Sequence, residues 1–175
     1  MTRRDSTAID LKLEDGRWAE LELEDLSRRA VSQTLRNLGL DPAEFAVSIL
    51  ACNDERIASL NADFRDKSSA TNVLSWPSRE RAAHSPGSAP DLPDANNPMD
   101  AELGDIAISY DTVEREAAAS GTSIRHHTLH LIAHSTLHLL GYDHISDLDA
   151  KLMEAREVEI LADLDVANPY EIDIV

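Results

Sequence analysis

Three histidines in the C-terminal third of the chain have the residue type and spacing of metal ligands. His134 and His138 are four residues apart in the sequence, so on a helix their imidazoles lie one above the other on the same face. Gly141 follows the last apolar residues of this segment and is placed to end the helix in a left-handed conformation. The chain can then turn back and bring His144 towards the pair. Two imidazoles on a helix and a third beyond its end are typical of three-ligand zinc sites, in which a fourth position stays open for catalysis.

Three other histidines, His126, His127 and His130, lie in the same predicted helix before this group. His130 lies one turn before His134, but a helix separates His130 from His138 by about 12 Å, which is too far for one ion with bonds of about 2.1 Å. We therefore expect His126, His127 and His130 to be partly buried or solvated helix residues. As an alternative, His130 supports a metal ligand through a hydrogen bond.

The spacing H-x3-H-x2-G-x2-H is also that of the metzincin peptidases. Those enzymes carry a glutamate directly after the first histidine, where it acts as general base. In this chain the position is Ser135, which cannot take that role. A zinc peptidase is therefore only a minor alternative.

Two further motifs make the histidine segment more specific. With its ending Leu-Gly-Tyr-Asp-His, the segment 134–144 resembles the signature of the YbeY family of bacterial metal-dependent endoribonucleases. Residues 60–65 (LNADFR) and 71–77 (TNVLSWP) are similar to the family's "LN-x3-R…TNVLSFP" segment, and residues 104–109 (GDIAIS) to its "GDI-x-IS" strand. The order of the motifs agrees with the family, and the resemblance covers about residues 45 to 170.

The resemblance implies a role for Arg65, which matches the arginine at the family's active site. A guanidinium fork suits the stabilisation of charge on the non-bridging oxygens of a phosphodiester. Three neutral imidazoles leave a bound metal at full charge, which suits the polarisation of a phosphoryl oxygen. Zinc is the expected ion, and nickel, copper or iron would accept the same donors. No carboxylate stands out as general base, so attack by activated water and attack by the ribose 2′-OH both remain open.

Three polar residues near these motifs each allow two roles. Asp143, next to the third histidine, either orients an imidazole or caps a turn. Thr71 and Asn72 either contact substrate or stabilise the loop before the following strand, and the second role is favoured slightly.

The resemblance also implies a substrate and partners. The expected activity is single-strand-specific cleavage of RNA in ribosomal RNA maturation, at the 3′ end of 16S RNA, and in ribosome quality control. The small ribosomal subunit and its assembly proteins are the expected partners, whereas DNA and membranes are not. A non-catalytic, metal-stabilised ribosome-assembly factor is the alternative, because an aromatic content of 4% offers few rings for stacking bases.

The charge balance bears on how RNA would be held. Sixteen basic against 33 acidic residues give a net charge of −17, which argues against broad, non-specific binding through phosphates. Five basic residues of the middle stretch predict a local basic lip beside the metal: Arg56, Arg65, Lys67, Arg79 and Arg81. Alternatively, a positively charged partner presents the RNA to the acidic surface.

Composition and periodicity predict one α/β domain spanning 1–175, with a mixed sheet of about four strands packed against about five helices. Strands are predicted at 9–13, 45–50, 72–75 and 103–110, and helices over 26–38, after Asn53 or Asp54, after Asp111, over 124–140 and from Ser146. Residues 78–100, rich in Ser, Pro, Gly, Asn, Asp and Ala, are predicted to form a flexible insertion. The single cysteine, Cys52, predicts a buried thiol and a reducing compartment. Since there is neither a leader nor a stretch of roughly 20 apolar residues, we expect the cytoplasm.

Overall fold

The computed structural model describes residues 6–65, 69–83 and 85–170, with the backbone alone for Arg65. Over this part of the chain there are four strands and six helices. The strands are β1 (Ala8–Leu13), β2 (Ala46–Cys52), β3 (Val73–Pro77) and β4 (Glu102–Ser109). The helices are α1 (Arg17–Glu20), α2 (Leu23–Asn37), α3 (Asp54–Arg65), α4 (Tyr110–Ser120), α5 (Ile124–Leu139) and α6 (Asp147–Asp163). Short 3₁₀ turns lie at Pro42–Glu44 and Pro98–Asp100.

The strands form one mixed sheet in the order β1–β2–β4–β3. β1, β2 and β4 are parallel neighbours, and β3 pairs with β4 in the antiparallel direction. The helix α2 supplies the long crossover that two adjacent parallel strands require. The predicted mixed α/β fold is confirmed. The one helix beyond the predicted five is α1, whose four residues are too few to give a periodic signal.

The two faces of the sheet have cores of unequal size. Along β4, Ile106 and Ile108 belong to the main core, whereas Ala107 between them belongs to a smaller cluster under α3, as alternation along a strand requires. Cys52 lies in the smaller cluster and is fully buried. The prediction of a buried thiol is therefore confirmed, and burial raises its pKa to about 12.

The histidine-bearing helix α5 lies in the main core. Its residues Leu129, Ile132, Ala133 and Leu137 are all buried there, so apolar contacts surround more than one side of the helix. Such packing fixes the position of the remaining side, which carries the histidines. The helix α5 is therefore central and largely buried.

The predicted capping role of Asp111 is wrong. The strand β4 continues directly into α4, so that Ser109 occupies the capping position and Asp111 falls in the first turn. Its carboxylate instead accepts a hydrogen bond from the Asp54 backbone N–H at 3.0 Å, and a second from Arg17 at 2.7 Å. Asp111 therefore holds the start of α3.

Two charged side chains are buried among the described residues of the 78–100 segment. Arg81 is 4% exposed, and its Nη1 donates to the carbonyl oxygen of Leu139, at the end of α5, at 3.0 Å. Asp100 is 5% exposed and accepts from Arg79 at 2.8 Å and from Arg81 at 3.4 Å. These contacts attach the segment to the helix that carries the histidines.

The predicted basic lip is therefore wrong for Arg79 and Arg81: the Arg81 guanidinium is buried, and the Arg79 side chain, although 51% exposed, pairs with the buried Asp100. Arg56 pairs with Glu14 at 3.2 Å. Lys67 and the side chain of Arg65 lie outside the described residues. In the stretches that the structure describes, no helix is both long and apolar enough to cross a membrane.

Candidate metal centre

The end of α5 brings the third histidine to the other two. Gly141 has a φ of +100°, a value that favours glycine. The N–H of Gly141 donates to the His138 carbonyl at 3.0 Å and the N–H of Tyr142 donates to the Leu137 carbonyl at 3.0 Å, the pair of bonds that defines a Schellman ending. A Cβ on Gly141 would also collide with the backbone carbonyl of Arg81. Glycine therefore allows both the turn that carries His144 back and the close approach of the 78–100 segment.

Two of the three imidazoles are oriented by hydrogen bonds to their Nδ1 atoms. His138 Nδ1 donates to the carbonyl oxygen of Tyr142 at 2.9 Å, and His134 Nδ1 donates to a carboxylate oxygen of Glu157 at 2.6 Å. With Nδ1 carrying the proton, each ring presents the Nε2 lone pair. The two Nε2 atoms face each other at 3.0 Å.

His144 completes the group from the far side of the turn. Its ring centroid lies 5.7 Å from that of His134 and 5.1 Å from that of His138. One nitrogen from each of the three rings can be chosen so that all lie within 4.8 Å of one another. The structure thus brings together the three histidines that the sequence singled out.

This donor set fits a metal such as zinc. Two nitrogens bound to one tetrahedral ion by bonds of about 2.1 Å are about 3.4 Å apart, close to the 3.0 Å between the facing Nε2 atoms. Burial, together with the neighbouring His134 and His144, lowers the pKa of His138 to about 4, so the ring is neutral at pH 7. Facing lone pairs on neutral rings require a cation or a proton between them.

Glu157 is the residue that the sequence analysis missed. Its side chain is 1% exposed, and its two oxygens accept from His134 at 2.6 Å, from His130 at 3.0 Å and from the Tyr170 hydroxyl at 2.7 Å. Burial alone raises the pKa of this carboxyl, but the hydrogen bonds from His130, His134 and Tyr170 outweigh it and lower the pKa to about 2. The only signal in the sequence is a glutamate inside the apolar stripe of α6, whose other buried members are Met153, Ile160 and Leu161.

The three other histidines of α5 lie as expected. His126 is exposed, and His127 and His130 are half-buried. His130 bonds to Glu157, which in turn bonds to His134. His130 thus supports a candidate metal ligand indirectly, which is the alternative role that the sequence analysis gave it. His130, His134 and Glu157 also form a group with metal-binding spacing. In this group, however, the carboxylate oxygens and ring nitrogens bond directly to each other, so hydrogen bonds account for their closeness.

An open cavity of about 940 Å³ lies over the three histidines. Strand β3 and the residues before it form one wall, with Thr71 and Asn72 among them, and α5 forms the floor. Among the described lining residues none is lysine or arginine, and Glu116 is the one carboxylate. Within the described residues, positive charge for a phosphodiester bound here would come from a metal at the three histidines.

The other residues that the sequence analysis singled out have either a structural role or a side chain outside the described part of the chain. Asp143 Oδ1 accepts from the Ile145 backbone N–H at 3.2 Å, so it stabilises the turn. Asn72 Oδ1 accepts from the Val73 N–H at 2.7 Å, in keeping with its expected role in the loop. Ser135 is 1% exposed and offers no acid or base where a peptidase needs one. The side chain of Arg65 lies outside the description, so its expected role stays a prediction.

The fold and the site define an α/β protein with a three-histidine cluster able to hold a metal, set in an open cleft. The family profile described as endoribonuclease YbeY matches residues 8–165, and the chain belongs to this family. Two relatives, both named endoribonuclease YbeY, come from Dinoroseobacter shibae and Ruegeria pomeroyi. The first is 54% identical, over 95% of this chain and 92% of the relative. The second is 51% identical, over 94% of this chain and 99% of the relative.

The fold has a counterpart among solved structures. The solution structure of TM1509 from Thermotoga maritima superposes with a TM-score of 0.52, covering 94% of this chain and 99% of that one. At 20% identity this likeness concerns the fold alone.

Proposed function

We propose that this protein is a zinc-dependent, single-strand-specific endoribonuclease that acts in the cytoplasm on ribosomal RNA, including the 3′ end of 16S RNA, in maturation and quality control. The observation that carries the proposal is the convergence of His134, His138 and His144 in an open cleft, with the two helix-borne rings oriented by Glu157 and Tyr142. Membership of a family whose relatives are named endoribonucleases supports the reaction. The small ribosomal subunit and its assembly proteins are the proposed partners.

The roles of the side chains follow from their positions. His134, His138 and His144 hold the zinc ion, which when bound supplies a Lewis acid for a phosphoryl oxygen. Glu157 keeps the His134 proton on Nδ1, and the Tyr142 carbonyl does the same for His138, so that both Nε2 atoms remain donors to the metal. Arg65 contributes a guanidinium to the non-bridging oxygens of the scissile phosphate. This last role rests on the family resemblance.

The test is the cleavage of a labelled single-stranded RNA by the wild type and by His138→Ala and Arg65→Ala. His126→Ala is the matched control for the first variant, because His126 lies on the same helix and is exposed. Arg29→Ala, at an exposed position of α2, is the control for the second. Zinc content and circular dichroism are measured for every variant.

The proposal expects loss of cleavage in His138→Ala and Arg65→Ala, loss of zinc in His138→Ala alone, and wild-type behaviour in both controls. Equal cleavage by all five proteins would mean a contaminating nuclease and would refute the proposal. Duplex RNA of the same sequence is the negative control, because a single-strand-specific enzyme should not cleave it.

One observation favours a second function. The described lining of the cleft has no lysine or arginine, although RNA binding relies heavily on such residues. A non-catalytic ribosome-assembly factor with a structural metal would need none there. For that function, removal of zinc by a chelator unfolds the protein while no RNA cleavage depends on the metal.

A further inference from the structure

We propose that the part of the cleft beyond the metal histidines, floored by His127, His130 and Tyr170 and walled by Asn72 and Glu116, binds the base of the nucleotide next to the scissile phosphodiester. These five residues, named here the base subsite, line the same cavity as His134 and His138. The inference rests on the proposed endoribonuclease function and names how its substrate is positioned.

The base subsite is at the right distance for the neighbouring nucleotide. His127, His130 and His134 are three and four residues apart on α5, so they lie along one face. Along the helix axis His130 is about 6 Å and His127 about 10 Å from His134. A stacked neighbouring base, at a rise of about 3.4 Å per nucleotide, would fall short of these distances. The region therefore suits a base that is splayed out of a single strand bound at the metal.

The floor of the base subsite consists of aromatic rings. The ring centroid of His130 lies 5.9 Å from that of His127 and 6.2 Å from that of Tyr170. Tyr170 is 41% exposed, so part of its ring is open to a ligand. Unstacked RNA bases are commonly bound by stacking on tyrosine and histidine rings.

These rings are held in place before any ligand binds. The Tyr170 hydroxyl and His130 Nε2 both donate to Glu157 Oε2, at 2.7 Å and 3.0 Å, and Glu157 is buried within α6. One buried carboxylate thus fixes two rings and a metal histidine together. Pre-positioned rings lower the entropy lost when a base stacks on them.

The wall of the base subsite favours a base over a phosphate. Glu116 Oε1 accepts from Asn72 Nδ2 and from His127 Nε2, both at 2.9 Å, and its side chain is 42% exposed. A carboxylate repels phosphate but accepts from the amino and imino N–H groups of bases. With no lysine or arginine among the described lining residues, this region suits the neutral part of a nucleotide.

The test combines protein variants with altered substrates. Single-stranded RNAs that each carry one abasic nucleotide at successive positions around the cleaved bond are compared with the intact RNA. The proteins are the wild type, Tyr170→Ala, Tyr170→Phe and Glu116→Gln, with His126→Ala as control. Zinc content is measured for each, because Tyr170 also contacts Glu157. The abasic substrates are also assayed with the wild-type protein, so this part of the test remains valid if a variant folds poorly.

At one position adjacent to the cleaved bond, we expect removal of the base to lower kcat/KM for the wild type by about 5- to 150-fold, the range for one stacked base. Tyr170→Ala lowers kcat/KM on intact RNA by a similar factor and has little further effect on that abasic RNA. Tyr170→Phe keeps the ring and most of the activity. Glu116→Gln changes the preference among the four bases at that position. Zinc content stays that of the wild type throughout.

Three results would overturn the inference. In the first, the losses in kcat/KM from Tyr170→Ala and from the abasic substrate multiply when the two are combined. In the second, Tyr170→Phe lowers kcat/KM as much as Tyr170→Ala does. In the third, the zinc content of the variants falls in parallel with their activity. In each of these the wild type still cleaves RNA, so the proposed function stands while the base subsite falls. A wild type that cleaves no single-stranded RNA removes the proposed function and this inference with it.

Discussion

Replacement of Glu157 best distinguishes an effect on metal binding from an effect on folding stability. Its carboxylate is 1% exposed and accepts the His134 Nδ1–H at 2.6 Å, a short distance that is typical of a charge-assisted hydrogen bond. The substitution Glu157→Gln keeps the size of the side chain and an acceptor oxygen but removes the charge. His130 and Tyr170 can adapt to an amide, because an imidazole and a hydroxyl each have an acceptor atom.

The expected loss falls on zinc affinity. Removing the partner of a ligating histidine typically weakens metal binding by about 10- to 100-fold, which corresponds to about 1.4 to 2.7 kcal/mol. Because the amide still fills the site and is hydrogen-bonded, the free energy of unfolding of the metal-free protein falls by less than about 2 kcal/mol. The substitution therefore acts more on the metal than on the fold.

The assay is competition for zinc with a chromophoric chelator, alongside urea unfolding of the metal-free protein. Glu154→Gln is the control, since Glu154 is exposed on the same helix. A zinc Kd that is the same in Glu157→Gln, Glu154→Gln and the wild type would refute the role of Glu157. An equal loss in both variants would show an effect of net charge and not of the hydrogen bond.

Three further predictions concern the framework. Gly141→Ala should lower the free energy of unfolding by at least about 2 kcal/mol in urea titrations, because it meets both an unfavourable φ of +100° and the Arg81 carbonyl. Gly121→Ala, with a φ of +70° and nothing within 4 Å of the added Cβ, should cost less, and equal losses would contradict the clash. Burial raises the pKa of Asp54, but hydrogen bonds from Ser109, Thr112 and Arg115 outweigh it, so that the folded pKa lies below its ordinary value. Wild type should therefore exceed Asp54→Asn in stability above about pH 4 and lose that advantage as pH falls through the folded pKa; a difference independent of pH in thermal melts would contradict this. Cys52 is buried with a pKa near 12, so iodoacetamide should label it in urea and not in the native protein, as mass spectrometry will show.

Local features of the sequence were sufficient to predict most of the helices and strands. The spacing of His134 and His138 is a helix period. Residue type predicted a cap for α3 at Asn53 or Asp54, and in the structure the Asn53 side chain accepts the Arg56 N–H at 3.0 Å. The cap at Asp111 was wrong, because the residue type allows a cap but cannot show that β4 passes into α4 without a break. Residue type indicates what a side chain can bond to, whereas the partner depends on the neighbouring elements.

The basic lip was wrong for a similar reason. Arg79 and Arg81 are close in sequence to the family motifs, yet their partner is Asp100, about twenty residues further on, and the end of α5. A count of charges along the chain does not include the pairing that folding produces. The described cleft consequently has less positive charge than the sequence suggested.

By itself, the sequence determined the mixed α/β fold, the family and the three candidate metal ligands, because each depends on periodicity or on spacings of a few residues. Only the tertiary structure decided what surrounds those ligands. Glu157 contacts His134 across 23 residues of chain and His130 across 27, and Asn72 meets Glu116 across 44. The first two contacts form where α6 packs beside α5, and the third joins the residue before β3 to α4. No local pattern specifies which side chains will meet at such places.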